Sequence, residues 1–205
     1  MSAPVDADAR ALDAALESLR IESRAIEVAA GRSSEALLAA TRLIEARSGR
    51  LIVSGLGKSG HIAAKMAATF ASTGTPAHFV HATEALHGDS GMVVPGDVAI
   101  LISNSGTTAE VVQFGRMIRA LGVPVIAMAR DASSPLASLA QVWLDISVER
   151  EADPLGLAPT ASTTLTLALG DALAAALMTR TNFDDAAFGL RHPGGALGQQ
   201  LGVDE

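Results

Sequence analysis

The segment Ser103-Asn104-Ser105-Gly106-Thr107-Thr108-Ala109-Glu110 sets four hydroxyls within six residues, directly after the apolar run Val98–Ile102. At a strand-to-helix junction this pattern makes a cradle for phosphate. Amides of the first helical turn point at the anion, the helix dipole favours it, and the hydroxyls add donors. A plain helix cap needs only one such hydroxyl. Ser103, Ser105, Thr107 and Thr108 are therefore candidate ligand-binding residues. A second loop, Ser54-Gly55-Leu56-Gly57-Lys58-Ser59-Gly60, follows the apolar run that starts at Leu51. It satisfies G-x-G-x-x-G, yet neither nucleotide fingerprint is complete. A dinucleotide site wants an acidic residue closing the second strand, where this chain has Ala77–Val80 followed by His81. A P-loop wants a glycine five positions before Gly57, where Ile52 stands. What survives is a glycine turn opening a helix, with Lys58 and Ser59 directed to a cleft.

The elements around these loops alternate. Leu51–Ser54, Ala77–Val80, Val98–Ile102, Pro124–Ala129 and Val142–Ile146 read as strands; Gly60–Ser72, Thr108–Leu121 and Pro135–Ala140 read as the helices between them. This order predicts an α/β fold with a five-stranded parallel sheet flanked by helices, a three-layer sandwich of flavodoxin-like type. In such sheets ligands sit outside the carboxyl ends of the strands, and both polar loops follow strands. Ahead of the sheet, Leu12, Leu16, Leu19 and Ile26 recur at helical spacing over residues 7–31, and Ser34 is placed to cap a second helix running to Arg47. The chain reads as one domain over 1–205, with N-terminal helices at 7–47, the sheet core at 51–180 and a C-terminal segment at 181–205. Ala161–Met178 is apolar enough to suggest a membrane span, but Ser162, Thr163, Thr164, Thr166 and Asp171 make it a buried core helix instead.

Composition narrows the function. The 205 residues are 49% hydrophobic, carry a net charge of -7 and include no cysteine. That excludes disulfides and thiolate metal sites and suits a reducing compartment. It also argues against nucleic acid, which needs a basic surface, while local backbone amides still hold a small anion. The N-terminus shows no secretory signal. The expectation is a cytoplasmic protein with no nucleic-acid or membrane partner.

GLGKSGHIAAKMAATFASTGTPAHFVHATEALHGDSGM, ISNSGTTAE, PLGLAPTASTT and RHPGGALG occur in this order between about Leu51 and Leu201. Together they resemble the arabinose-5-phosphate isomerases, sugar isomerase (SIS) domain enzymes of the lipopolysaccharide (Kdo) pathway. The resemblance implies interconversion of ribulose 5-phosphate and arabinose 5-phosphate through a cis-enediol. It places the catalytic residues on Lys58, Glu110, Glu151 and His192, and sugar or metal contacts on Gly74, Thr75, His81 and His87. Longer members carry a pair of CBS modules after this domain; the expectation here is the SIS domain without that pair. The family forms dimers and tetramers, which implies a homotetramer with active sites between subunits.

Each residue also has a plainer reading. Lys58 suits a phosphate or enediolate partner, or is a surface lysine. Glu110 lies in the first turn of its helix, where an acid also compensates the dipole. Glu151 sits in a run of charges, Glu149–Asp153, that could be solvated. His192 precedes Pro193-Gly194-Gly195 and can act as acid or base at neutral pH. Residues 78–89 hold three histidines and two carboxylates, enough for a metal; zinc bound at His81 would be inhibitory, and the chemistry requires no cofactor. Glu84 rivals the others as the C1–C2 base. The competing functions are a non-catalytic sugar-phosphate sensor on the same fold, or an isomerase of another sugar phosphate.

Overall fold

A computed structural model describes residues 7–192. Two helices, α1 (Ala7–Arg32) and α2 (Ser34–Glu45), lead into an alternation of β1 (Leu51–Gly55), α3 (Lys58–Ser72), β2 (Ala77–His81), α4 (Ala82–Ala85), a 3-10 turn (Asp89–Met92), β3 (Val98–Ile102), α5 (Ala109–Ala120), β4 (Val125–Ala129), α6 (Pro135–Leu139) and β5 (Val142–Asp145). The long α7 (Ala161–Thr181) and the short α8 (Asp185–Gly189) complete the order. The five strands pair in parallel in the order β2-β1-β3-β4-β5. The order reverses direction between β1 and β3, which creates a crevice at their carboxyl ends.

Alternation along each strand divides the core in two. Leu51, Val53, Ile100, Ile102, Ile126 and Met128 pack with Ile44 of α2, Met66 and Phe70 of α3, and Leu165, Leu169 and Leu173 of α7. Ile52, Ala99, Leu101, Val125 and Ala127 face the other way, onto Val111, Phe114 and Ile118 of α5 and Leu136 of α6. β1, β3 and β4 are buried throughout, which is why they read as continuous apolar runs. Helix α7 is long and apolar enough to cross a membrane, yet its leucines supply the sheet's own core.

The elements match the sequence reading to within one to three residues at their ends, and several of the differences have a local cause. Helix α3 begins at Lys58, two residues before the expected start, because Gly57 takes φ 59 and lets the chain turn directly into the helix. Ser33, not Ser34, stands at the start of α2, and its side chain makes no cap bond. The fifth strand ends at Asp145, one residue short of the Ile146 expected. Helices α4 and α8 are too short to give a periodic signal.

Candidate functional site

The first glycine loop is shaped by packing. A Cβ on Gly55 would lie 2.9 Å from the Ser59 carbonyl oxygen, and one on Gly60 would lie 3.2 Å from the Gly55 carbonyl oxygen. The end of β1 and the first turn of α3 thus approach too closely for any side chain. This accounts for two of the three glycines without a nucleotide, and it brings Lys58 and Ser59 to the mouth of the crevice.

The second loop is already ordered by its own hydroxyls. Ser103 is buried; its Oγ accepts from the Gly106 amide at 3.1 Å and pairs with Thr108 Oγ1 at 2.8 Å. Ser105 Oγ accepts from the Thr107 amide at 3.2 Å and from Thr107 Oγ1 at 2.9 Å, which leaves the Ser105 proton to donate elsewhere. The four hydroxyls thus divide the work. Ser103, paired with Thr108, and Thr107, paired with Ser105, brace the loop, while Ser105 keeps a free donor where the loop lines a cleft. Gly106 takes φ 69, and a Cβ there would lie 2.4 Å from the Ser134 Cβ. The loop after β3 therefore nests against the loop after β4.

That cleft, of about 320 Å³, is lined by Lys58, Ser59, Ser103, Asn104, Ser105, Thr108, Arg130, Ser162, Thr163 and Thr166, among others. It lies at the carboxyl ends of the strands, where the N-termini of α3, α5 and α7 meet. Helix N-termini and hydroxyls at one point favour a phosphate. A larger cleft of about 680 Å³ lies between α1 and residues 147–150. Of its charges, Arg150 and Arg20 pair with Glu17 at 2.7 and 3.6 Å and Arg32 reaches Asp145 at 3.0 Å, and it has no hydroxyl loop.

Glu151 stands at the N-terminus of α7. One carboxylate oxygen accepts from Ser162 Oγ at 2.5 Å; the other accepts from the amides of Thr160 at 2.9 Å and Ser162 at 3.1 Å, and from Thr160 Oγ1 at 3.3 Å. Burial pushes its pKa up, but these four hydrogen bonds outweigh burial and hold it below the ordinary carboxylate value. Glu151 is therefore no solvated charge in a cluster. It is a fixed anion that positions Ser162 in the cleft wall. Glu110, in the first turn of α5, makes no hydrogen bond or ion pair among the described residues.

Several sequence-named residues fall elsewhere. Gly74 and Thr75 precede β2, at the amino edge of the sheet and so opposite the cleft. Gly74 takes φ 93, and a Cβ there would lie 2.6 Å from the Phe183 ring; Thr75 is buried. Helix α7 carries the chain from the cleft back to that same edge, so His192 also lies there. Its ring stacks on Phe188 with centroids 3.9 Å apart, and its Nδ1–H donates to the Phe188 carbonyl oxygen at 2.9 Å. This hydrogen bond leaves Nε2 unengaged. The Pro193-Gly194-Gly195 segment lies outside the described residues.

The expected metal-binding segment does not converge. Among the described residues no group of three or more His, Cys, Asp or Glu side chains is arranged to hold a metal. His78 pairs with Arg50, and His87 and Glu84 are exposed. His81 ends β2 with Nδ1 buried and unpartnered, so it offers one nitrogen but no ligand set, and zinc does not fit the described residues. Asn104, Arg130, Ser162, Thr163 and Thr166 line the cleft although the sequence reading names none of them as site residues, and Arg130 is the charged one among them. A lone cation after the fourth strand was its only signal.

Residues 43–176 match the model of the SIS domain. The chain is 48% identical over 190 residues to a Pseudomonas aeruginosa protein named Arabinose 5-phosphate isomerase KdsD, an overlap of 93% of this chain and 58% of the relative. It is 55% identical over 153 residues to the protein of that name from Escherichia coli K12, covering 75% of this chain and 47% of the relative. The chain thus spans about half the length of the curated relatives it matches. A solved structure of an E. coli CFT073 protein in complex with arabinose 5-phosphate superposes with a TM-score of 0.86 and 42% identity, covering 93% of this chain and all of that one.

Proposed function

The chain belongs to the SIS domain family, and on that footing we propose that it is an aldose–ketose isomerase interconverting D-ribulose 5-phosphate and D-arabinose 5-phosphate through a cis-enediol. The observation that carries this reading is the cleft where the Ser103–Thr108 loop meets Lys58 and the N-termini of α3 and α5. The relatives named for this activity, and the neighbour complexed with arabinose 5-phosphate, support the choice of sugar.

In this reading Ser105, Thr108, Ser59 and Lys58 hold the phosphate, which fixes C1 and C2 deeper along the cleft. Glu151, kept ionised by its four hydrogen bonds, sets Ser162 in the wall and adds a fixed negative charge. A proton-transfer base needs an uncommitted lone pair. Glu110 supplies one beside the phosphate loop, with Glu84 as the alternative. The alternative role for Lys58, in place of the phosphate, is to stabilise charge developing on the enediolate. No cofactor is required by these steps.

His192, Gly74 and Thr75 lie at the opposite edge of their own chain and reach a cleft only across a subunit boundary. On α1, Leu12, Leu16 and Leu19 remain exposed, as expected of helices that pack on a partner. These features support a homotetramer with interfacial sites, in which His192 Nε2 opens the furanose ring of arabinose 5-phosphate. The assignment extends to a cytoplasmic enzyme at the first step of Kdo formation. The test is incubation of the purified chain with ribulose 5-phosphate, followed by NMR. Appearance of arabinose 5-phosphate supports the reading, and unchanged substrate overturns it.

A further inference from the structure

The cleft holds two cationic side chains, Lys58 after β1 and Arg130 after β4. Since β3 lies between β1 and β4 in the sheet, the two cations flank the hydroxyl loop from opposite sides. A phosphate monoester carries close to two negative charges at neutral pH, more than Lys58 alone offsets.

Arg130 rises from backbone tied to that loop. Its amide donates to the Asn104 carbonyl at 3.0 Å, the Ser103 amide donates to Met128 at 3.1 Å, and the Leu136 amide donates to Gly106 at 3.0 Å. The adjacent Asp131 does not neutralise it. That carboxylate accepts from the Ser133 amide at 2.8 Å and from Ser133 Oγ at 2.7 Å. These bonds from Ser133 lead in holding the Asp131 pKa low, and Arg130 is the weakest of the influences on it. The Arg130 side chain makes no ion pair or hydrogen bond among the described residues.

We propose that Arg130 is a substrate-anchoring residue, its guanidinium binding the phosphate held by the Ser105 loop on the side away from Lys58. The proposal rests on the isomerase reading for its substrate, but the anion site can be probed without turnover. A planar guanidinium grips two phosphate oxygens at once, a geometry that lysine reproduces only in part.

The experiment compares the whole chain with R130A and R130K, in two measurements. Titration calorimetry reads the affinity for inorganic phosphate, and steady-state kinetics reads KM and kcat for ribulose 5-phosphate. Loss of one charge-assisted contact in R130A should weaken phosphate binding and raise KM, each by about tenfold or more, with kcat changed less than about threefold. R130K should recover part of both losses. Unchanged phosphate affinity in R130A overturns the proposal, as does a collapsed kcat at constant KM, which would put Arg130 in the chemistry. If the wild type binds phosphate through Arg130 but converts no sugar, the isomerase reading fails and the anchor stands. The side chain is exposed, so melting curves of the variants should match the wild type; a variant that melts early with phosphate affinity intact contradicts the assignment.

Discussion

At the scale of single residues, the hydroxyl loop shows how one string of similar side chains takes on separate tasks. Ser103 is buried and satisfied within the loop, whereas Ser105 accepts two hydrogen bonds and keeps its own proton for a ligand. Ser105→Ala should therefore raise KM for the phosphosugar more than it lowers kcat, because an anchor far from C1 and C2 binds ground state and transition state alike. Steady-state kinetics checks this, and a collapsed kcat at constant KM would move Ser105 into the chemistry. Sequence alone shows that the loop suits phosphate. It does not show which hydroxyl is spent on the fold, since that depends on contacts such as Ser103 with Thr108, made only after the turn closes.

At the scale of elements, Glu151 and α7 make a single unit. The carboxylate satisfies amides at the helix N-terminus that have no intrahelical partner, and Thr160 itself supplies no side-chain cap. Glu151→Ala should cost about 1–2 kcal/mol of stability, in the range of a lost N-cap, measured by denaturant unfolding. The folded pKa of Glu151 is depressed. Its contribution is therefore present in full above the unfolded value, ~4.3, and is lost as pH falls through the folded value. The gap between wild type and variant should be widest at neutral pH and close in acid; a gap independent of pH would contradict the ionic cap. The strands and most helix limits were legible because buried parallel strands are unbroken apolar runs and glycines mark the turns. The role of Glu151 was hidden because its partners lie 9 to 11 residues away, across a loop. The histidines of residues 78–89 form no metal-ligand group among the described residues for the converse reason. They are close in sequence, but β2 and α4 turn them apart.

At the scale of the whole molecule, the cleft and His192 lie at opposite edges of the sheet, so one chain cannot bring them together. Light scattering should give a tetramer mass, and mixing unfolded-and-refolded Lys58→Ala with His192→Asn should restore conversion of arabinose 5-phosphate that each variant slows on its own. Random assembly then yields about a quarter of sites with both native residues. A monomer mass, or no recovery on mixing, contradicts interfacial sites. The central claim is that this cleft moves a proton between C1 and C2 of a pentose 5-phosphate. NMR of ribulose 5-phosphate with the chain in D2O tests it most directly. The account predicts arabinose 5-phosphate carrying solvent deuterium at C2, the mark of an enediol open to exchange. Ribulose 5-phosphate that binds but remains unconverted and undeuterated would contradict it.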